Sequence, residues 1–100
     1  MRDPNNSVAE AADVDRIISS LKEILAHDLN IGLKIDQIDP DASLELDLKI
    51  DSVAMVELIS AIEARFEFSF LDADLVTKSF ANLRVLARVI ARRLASTTGS

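Results

Sequence analysis

Across residues 13–29, apolar side chains return every three or four positions: Val14, Ile17, Ile18, Leu21, Ile24, Leu25 and Leu29. That spacing gathers them on one face of an α-helix. Asp13 and Asp15 stand where acids favour a helix start, and Gly32 lies just past the end. A second helix is expected to open at Asp51 or Ser52 and to run to about Phe66. Val53, Val56, Ile59, Ile62 and Phe66 would form its buried stripe, with Met55 and Leu58 on the flanks and Glu57 and Glu63 off it. A short third helix is expected near residues 72–78, started by Asp72. Asn82 has the chemistry of an N-cap for a last helix over residues 83–94, with Leu83, Leu86, Ala87, Ile90 and Leu94 facing inward. Arg84, Arg88 and Arg92 follow one another at i, i+4 and share its solvated face, and Arg92 and Arg93 suit the dipole of the last turn.

Between the first two helices lies a connection of roughly twenty residues, long enough to need packing or a function of its own. It carries Ile31, Leu33, Ile35, Ile38, Leu44, Leu46 and Leu48 among acids and Pro40. Leu44, Leu46 and Leu48 alternate as a strand would. No second strand is available to pair with them, so the expectation is an ordered loop whose apolar residues pin it over the core. The expected fold is all-α: a four-helix bundle with a long loop between helices 1 and 2 and a short helix 3. Residues 1–12 and 96–100 are polar or small with turn-type residues, and are expected to be a flexible N-terminal segment and a flexible tail around a domain at 13–95.

Composition agrees with that pattern and removes several functions. The 100 residues are 49% hydrophobic with two Gly and two Pro, enough for one modest helical core. Without cysteine there is no disulfide, thiolate metal site or cysteine nucleophile, and a single His27 cannot build a multi-histidine site. No apolar run reaches membrane-spanning length and no h-region opens the chain, so a cytoplasmic protein without membrane contact is expected. The net charge of −6 is unevenly spread. Residues 36–74 hold eleven acids against Lys49 and Arg65, whereas residues 75–100 hold five bases and no acid. Much of that acidity serves solubility, but it also favours partners with basic docking patches and disfavours nucleic acid. The arginines lack the aromatic interleaving of an RNA site.

Ser52 is the residue with chemistry left to explain. As a dipeptide, Asp51-Ser52 reads as an ordinary helix cap. A Ser–His–Asp hydrolase built on Ser52 and His27 is disfavoured, because Ile50 and Val53 flank the pair where a nucleophile elbow has glycines. The aspartates of residues 36–51 do not form a calcium loop, since the central glycine is missing and Leu and Ile stand at ligand positions. No metal site is expected.

The wider context changes the meaning of the pair. Leu48-Lys49-Ile50-Asp51-Ser52-Val53, continued by Met55-Val56-Glu57-Leu58-Ile59, resembles the signature of the acyl and peptidyl carrier proteins, in which an Asp-Ser-Leu-like triplet opens the second helix. The resemblance spans about residues 13–94. Ile38-Asp39-Pro40-Asp41-Ala42-Ser43-Leu44 is similar to the family's mid-loop segment, Ile62-Glu63-Ala64-Arg65-Phe66 to the end of its second helix, and Asn82-Leu83 stands where a Thr-Val pair usually starts the last. Two positions depart from the pattern: Lys49 replaces a glycine, and Val53 replaces the common leucine.

The resemblance implies a four-helix carrier fold and a non-catalytic monomer; the length suggests a free-standing protein, although an excised domain of a large synthase would look similar. It implies 4'-phosphopantetheine, drawn from coenzyme A and esterified to Ser52, as the covalent cofactor, with Asp51 supporting the metal in the complex with a phosphopantetheinyl transferase. Lys49, Val53, Met55, Glu57 and Glu63 would then dock partners: an acyl- or aminoacyl-loading enzyme, and ketosynthase, acyltransferase or condensation-type enzymes. With Ala54, Ser60, Ala64 and Arg65 diluting the acidity of helix 2, a polyketide, nonribosomal peptide or related specialised pathway is expected. The alternatives are a housekeeping fatty-acid carrier and an unmodified helical interaction module.

Overall fold

A computed structural model describes the backbone of residues 3–99 and the side chains of residues 13–76 and 78–94. Three α-helices order the fold: α1 (Asp3–Glu23), α2 (Ser52–Phe66) and α3 (Leu83–Gly99). The end of α1 widens to π spacing over Ile24–Asp28, where the Leu29 N–H donates to the Ile24 carbonyl at 2.9 Å. α1 packs chiefly along α3, and α2 rests on this widened end. Leu21, Ile24, Leu25, Leu58, Ile62, Leu83, Leu86 and Ile90 are fully enclosed where the three meet.

The helical backbone continues over residues 3–12 and 96–99, outside the domain expected at 13–95. Pro4 sits in the first turn, where its missing N–H costs nothing, and Ala9, Ala11 and Ala12 are strong helix formers. Once nucleated, a helix propagates residue by residue without needing a buried face at its tips.

The buried stripe of α2 is rotated from the one its periodicity suggested. Leu58 is 0% exposed and Ile62 is buried with it, while Val53 and Val56 are 70% and 63% exposed. Ala54, Met55 and Ile59 are half-buried at the edges of the packed face. The helix is apolar around more than half its circumference, so spacing alone supports two adjacent stripes; contact with the end of α1 selects the one through Leu58.

The long loop is ordered, and its middle is a helical turn rather than a strand. Asp47 and Leu48 donate their N–H groups to the Ser43 carbonyl at 3.0 Å each. Ser43 closes the turn reciprocally: its N–H donates to Asp47 Oδ2 at 2.8 Å and its Oγ accepts from the Leu46 N–H at 3.1 Å. Period four therefore replaces period two. Leu44 and Leu48 point inward with Ile38 and Ile50, and Leu46 is 71% exposed. Two backbone bonds tie the loop to the start of α3, from Leu44 N–H to the Ala81 carbonyl at 3.0 Å and from Arg84 N–H to the Pro40 carbonyl at 3.1 Å. Arg84 also pairs with Asp41, Nε to Oδ1 at 2.6 Å.

The expected short third helix is realised as two 3₁₀ turns, Asp72–Asp74 and Thr77–Phe80. Asp74 supports the first by accepting the Leu71 N–H at 3.0 Å. Asn82 caps α3 as its residue type suggests, with Oδ1 accepting from the Val85 N–H at 2.8 Å.

Candidate functional site

Ser52 is the first helical residue of α2 and is exposed. The capping duty belongs to its neighbour. Asp51 is extended (φ −84°, ψ −175°), its Oδ1 accepts the Ala54 N–H at 2.9 Å, and its carbonyl accepts the Met55 N–H at 2.8 Å. Asp51 thus takes the capping bonds of the first turn, and among the described residues nothing bonds to the Ser52 hydroxyl. Burial alternates before it: Leu48 and Ile50 face the core, while Lys49, Asp51 and Ser52 face solvent. The buried pair fixes the entry of the chain into α2 and holds the Asp51–Ser52 step at the surface.

A cleft of about 490 Å³ opens beside Ser52. Ile50, Met55, Val56 and Ile59 line one part of it, and Leu75, Val76 and Phe80 from the 3₁₀ segment line another. Glu45, Asp51 and Ser52 supply its polar atoms. The second wall comes from residues that periodicity assigned no role. Leu75, Val76 and Phe80 belong to a stretch too short to show a repeat, and an unusually apolar 3₁₀ connection was the available signal.

The other sequence-derived residues separate into two groups. Lys49, Val53 and Glu57 are exposed on or just before α2, and Met55 is half-buried against the cleft. Glu63 lies elsewhere and is engaged: its Oε2 accepts the Phe70 N–H at 2.8 Å, and its carbonyl accepts from Phe68 at 3.2 Å. It thereby braces the chain leaving α2, where Phe70 meets Phe68 and Phe80 edge-on at 4.9 and 5.7 Å. Lys49 has positive φ (+60°), a conformation that a Cβ disfavours and glycine does not. Glycine would adopt this backbone without that cost.

Residues 19–90 match the family model described as "phosphopantetheine attachment site". The chain belongs to the carrier protein family. It is 33% identical over 90 residues to an acyl carrier protein of Streptomyces coelicolor, covering 88% of this chain and 92% of that protein. It is also 30% identical over 91 residues to a polyunsaturated fatty acid synthase polypeptide of a Thraustochytrium species, covering 91% of this chain but 3% of that protein. Among solved structures, the NMR structure of a holo acyl carrier protein from Nitrosomonas europaea superimposes with a TM-score of 0.70 at 28% identity, covering 78% of this chain and 95% of the other. The carrier therefore takes 4'-phosphopantetheine as a covalent cofactor. A free, exposed hydroxyl at a rigid helix start, next to a cleft with apolar walls, suits such a group.

Proposed function

We propose that Ser52 carries the phosphopantetheine arm and that the protein holds acyl intermediates on it while separate enzymes act on them. The observation supporting this reading is the division of labour at the start of α2, where Asp51 caps the helix and leaves the exposed Ser52 hydroxyl uncommitted. The arm supplies a terminal thiol for thioester chemistry, which a chain without cysteine cannot supply itself. The chain's own residues would do the positioning. Leu48 and Ile50 anchor the approach to the helix, and Leu58 and Ile62 anchor the helix behind Ser52. Asp51 keeps Oδ2 outside the cap bond, available to a magnesium ion shared with a phosphopantetheinyl transferase and coenzyme A. Among the described residues no three His, Asp or Glu side chains cluster to hold a metal, so in this reading the other ligands come from the transferase complex.

Partner enzymes would meet the exposed face of α2: Val53 and Val56 for apolar contact, Glu57 and the acidic loop for charge, with Lys49 and Met55 at the edges. Such docking is quick to form and to dissociate, with charge raising the encounter rate. Glu63, half-buried and bracing Phe70, would add its charge at the far end of the same helix. The protein does no bond-making of its own in this reading and works in the cytoplasm.

A specialised polyketide, nonribosomal peptide or related pathway is the assignment we favour, because the docking helix is sparingly acidic and Lys49 alters the surface next to Ser52. Similarity to the Streptomyces coelicolor acyl carrier protein supports a second reading, a fatty-acid synthesis carrier. The mass of the acyl group found on the protein from its native host separates the two.

The attachment itself is tested by intact mass after incubation with coenzyme A, magnesium and a broad-specificity transferase. The wild type should gain the mass of one arm, and Ser52→Ala should gain nothing. Loading of the Ser52→Ala variant would move the attachment to another residue and overturn the assignment to Ser52; no loading of the wild type would overturn the carrier reading and favour an unmodified interaction module.

A further inference from the structure

Lys49 stands out three ways in the acidic half of the molecule. It and Arg65 are the bases of residues 36–74, and Arg65 is already paired with Glu23. Lys49 is exposed and has no hydrogen-bond or ion-pair partner among the described residues, although Glu45, Asp47 and Asp51 are close in sequence. It also occupies a left-handed backbone position that a lysine adopts at a conformational cost. A long cation has been placed in a strained site and left unneutralised.

Its location gives that cation a use. Lys49 and Ser52 are on the solvent side of the same short segment, whose Leu48 and Ile50 point to the core. Three residue steps span at most about 10 Å, and the lysine stem covers several of those. An arm on Ser52 begins with a phosphodiester, which brings a negative charge to the first turn of α2. The favourable end of the helix dipole is already engaged by the Asp51 carboxylate, which accepts the Ala54 N–H. An added anion there meets Asp51 and Glu45, which line the same cleft as Ser52, and Lys49 is the free countercharge in the segment.

We propose that Lys49 binds the phosphodiester of the attached arm as an ion pair, holding the arm's root against the loop side of α2. The assignment rests on Ser52 being the attachment point. Lys49 is a positioning residue: it directs where the flexible part of the arm starts.

The test compares apo and holo protein of the full chain, the latter made with coenzyme A, magnesium and a broad-specificity transferase and verified by intact mass and by peptide mapping to Ser52. Amine acetylation rates are read at Lys49, with exposed Lys34 and Lys78 as internal references. At low salt, Lys49 should react about 1.5- to 5-fold more slowly in the holo form, the occupancy ratio of an exposed ion pair. Near 1 M salt the difference should vanish through screening. The ³¹P resonance of the arm should shift in Lys49→Met and keep its wild-type position in Lys49→Arg. Equal acetylation rates in apo and holo forms, with an unmoved ³¹P signal in Lys49→Met, overturn the pairing alone. Slowing that persists at high salt is steric cover by the arm and also overturns it. No added mass, or mass on another residue, overturns the attachment at Ser52 and the role of Lys49 together.

Discussion

Leu58→Ala and Val56→Ala remove apolar carbon from the same helix, two positions apart, and should have very different consequences. Leu58 is 0% exposed, on the side of α2 that packs against the end of α1, and it does not line the cleft beside Ser52. Truncating it loses the transfer free energy of a fully buried side chain and leaves a void in a rigid three-helix contact, a cost of about 3 kcal/mol. For a domain of this size, about 3 kcal/mol corresponds to a melting-temperature drop of about 12–24 °C. Val56 is 63% exposed, so Val56→Ala should cost less than about 0.5 kcal/mol. Thermal and urea melts of the apo protein, followed by far-ultraviolet circular dichroism, compare the two directly. Transfer of a loaded acyl group to a cognate enzyme supplies the converse measurement, in which Val56→Ala should slow the reaction while folding normally. If Val56→Ala destabilised the protein by more than about 1 kcal/mol and Leu58→Ala by less, the orientation of α2 described above would be wrong.

Other substitutions probe the supports around the site. Glu63→Ala leaves the Phe70 N–H without its acceptor and should cost about 1–2 kcal/mol in urea melts, with Glu63→Gln restoring most of it; equal losses in both variants would show that the hydrogen bond is not the cause. Lys49→Gly relieves the positive-φ backbone and should stabilise the apo protein by about 0.5–1 kcal/mol, the left-handed penalty less the entropy of an added glycine, so a lowered urea midpoint would contradict the strain. The hydrogen bond from the Arg84 guanidinium, aided by its charge and that of Arg88, holds the Asp41 carboxyl below its ordinary value of 3.8. A depressed folded-state value stabilises the protein above the unfolded value and is lost as pH falls through that region, so acidification below about pH 4 should weaken wild type more steeply than Arg84→Met. Parallel acid profiles of the urea midpoint in the two proteins would remove Asp41 from the account.

Much of this was legible before any coordinates. The apolar repeat of α1, Asn82 as a cap, the inward face of α3 and the ordered loop follow from spacing and from the chemistry of single residues. Ser52 was legible as a candidate because a serine at a helix start after a long acidic loop matches a recognisable pattern. The rest depended on choices that local pattern leaves open. Leu44, Leu46 and Leu48 suit either a strand or a helical turn when read by polarity alone. The reciprocal bonds between Ser43 and Asp47 select the turn, and Leu46 moves to the surface. Glu63 looked like a free surface acid until the returning chain brought the Phe70 N–H to it.

The sequence by itself determined that the chain is helical, where α2 and α3 start, and which serine is the candidate for modification. These properties are local: periodicity, capping chemistry and a short motif act over a few residues. Tertiary structure alone decided which stripe of α2 is buried, because α2 is apolar on two adjacent sides and only its contact with the end of α1 distinguishes them. It also decided that Asp51 and not Ser52 caps the helix, and that Leu75, Val76 and Phe80, far downstream, complete the cleft beside the serine. Burial and clefts arise from surfaces distant in sequence meeting in space, and that meeting turns a capping dipeptide into an exposed hydroxyl beside an apolar cleft.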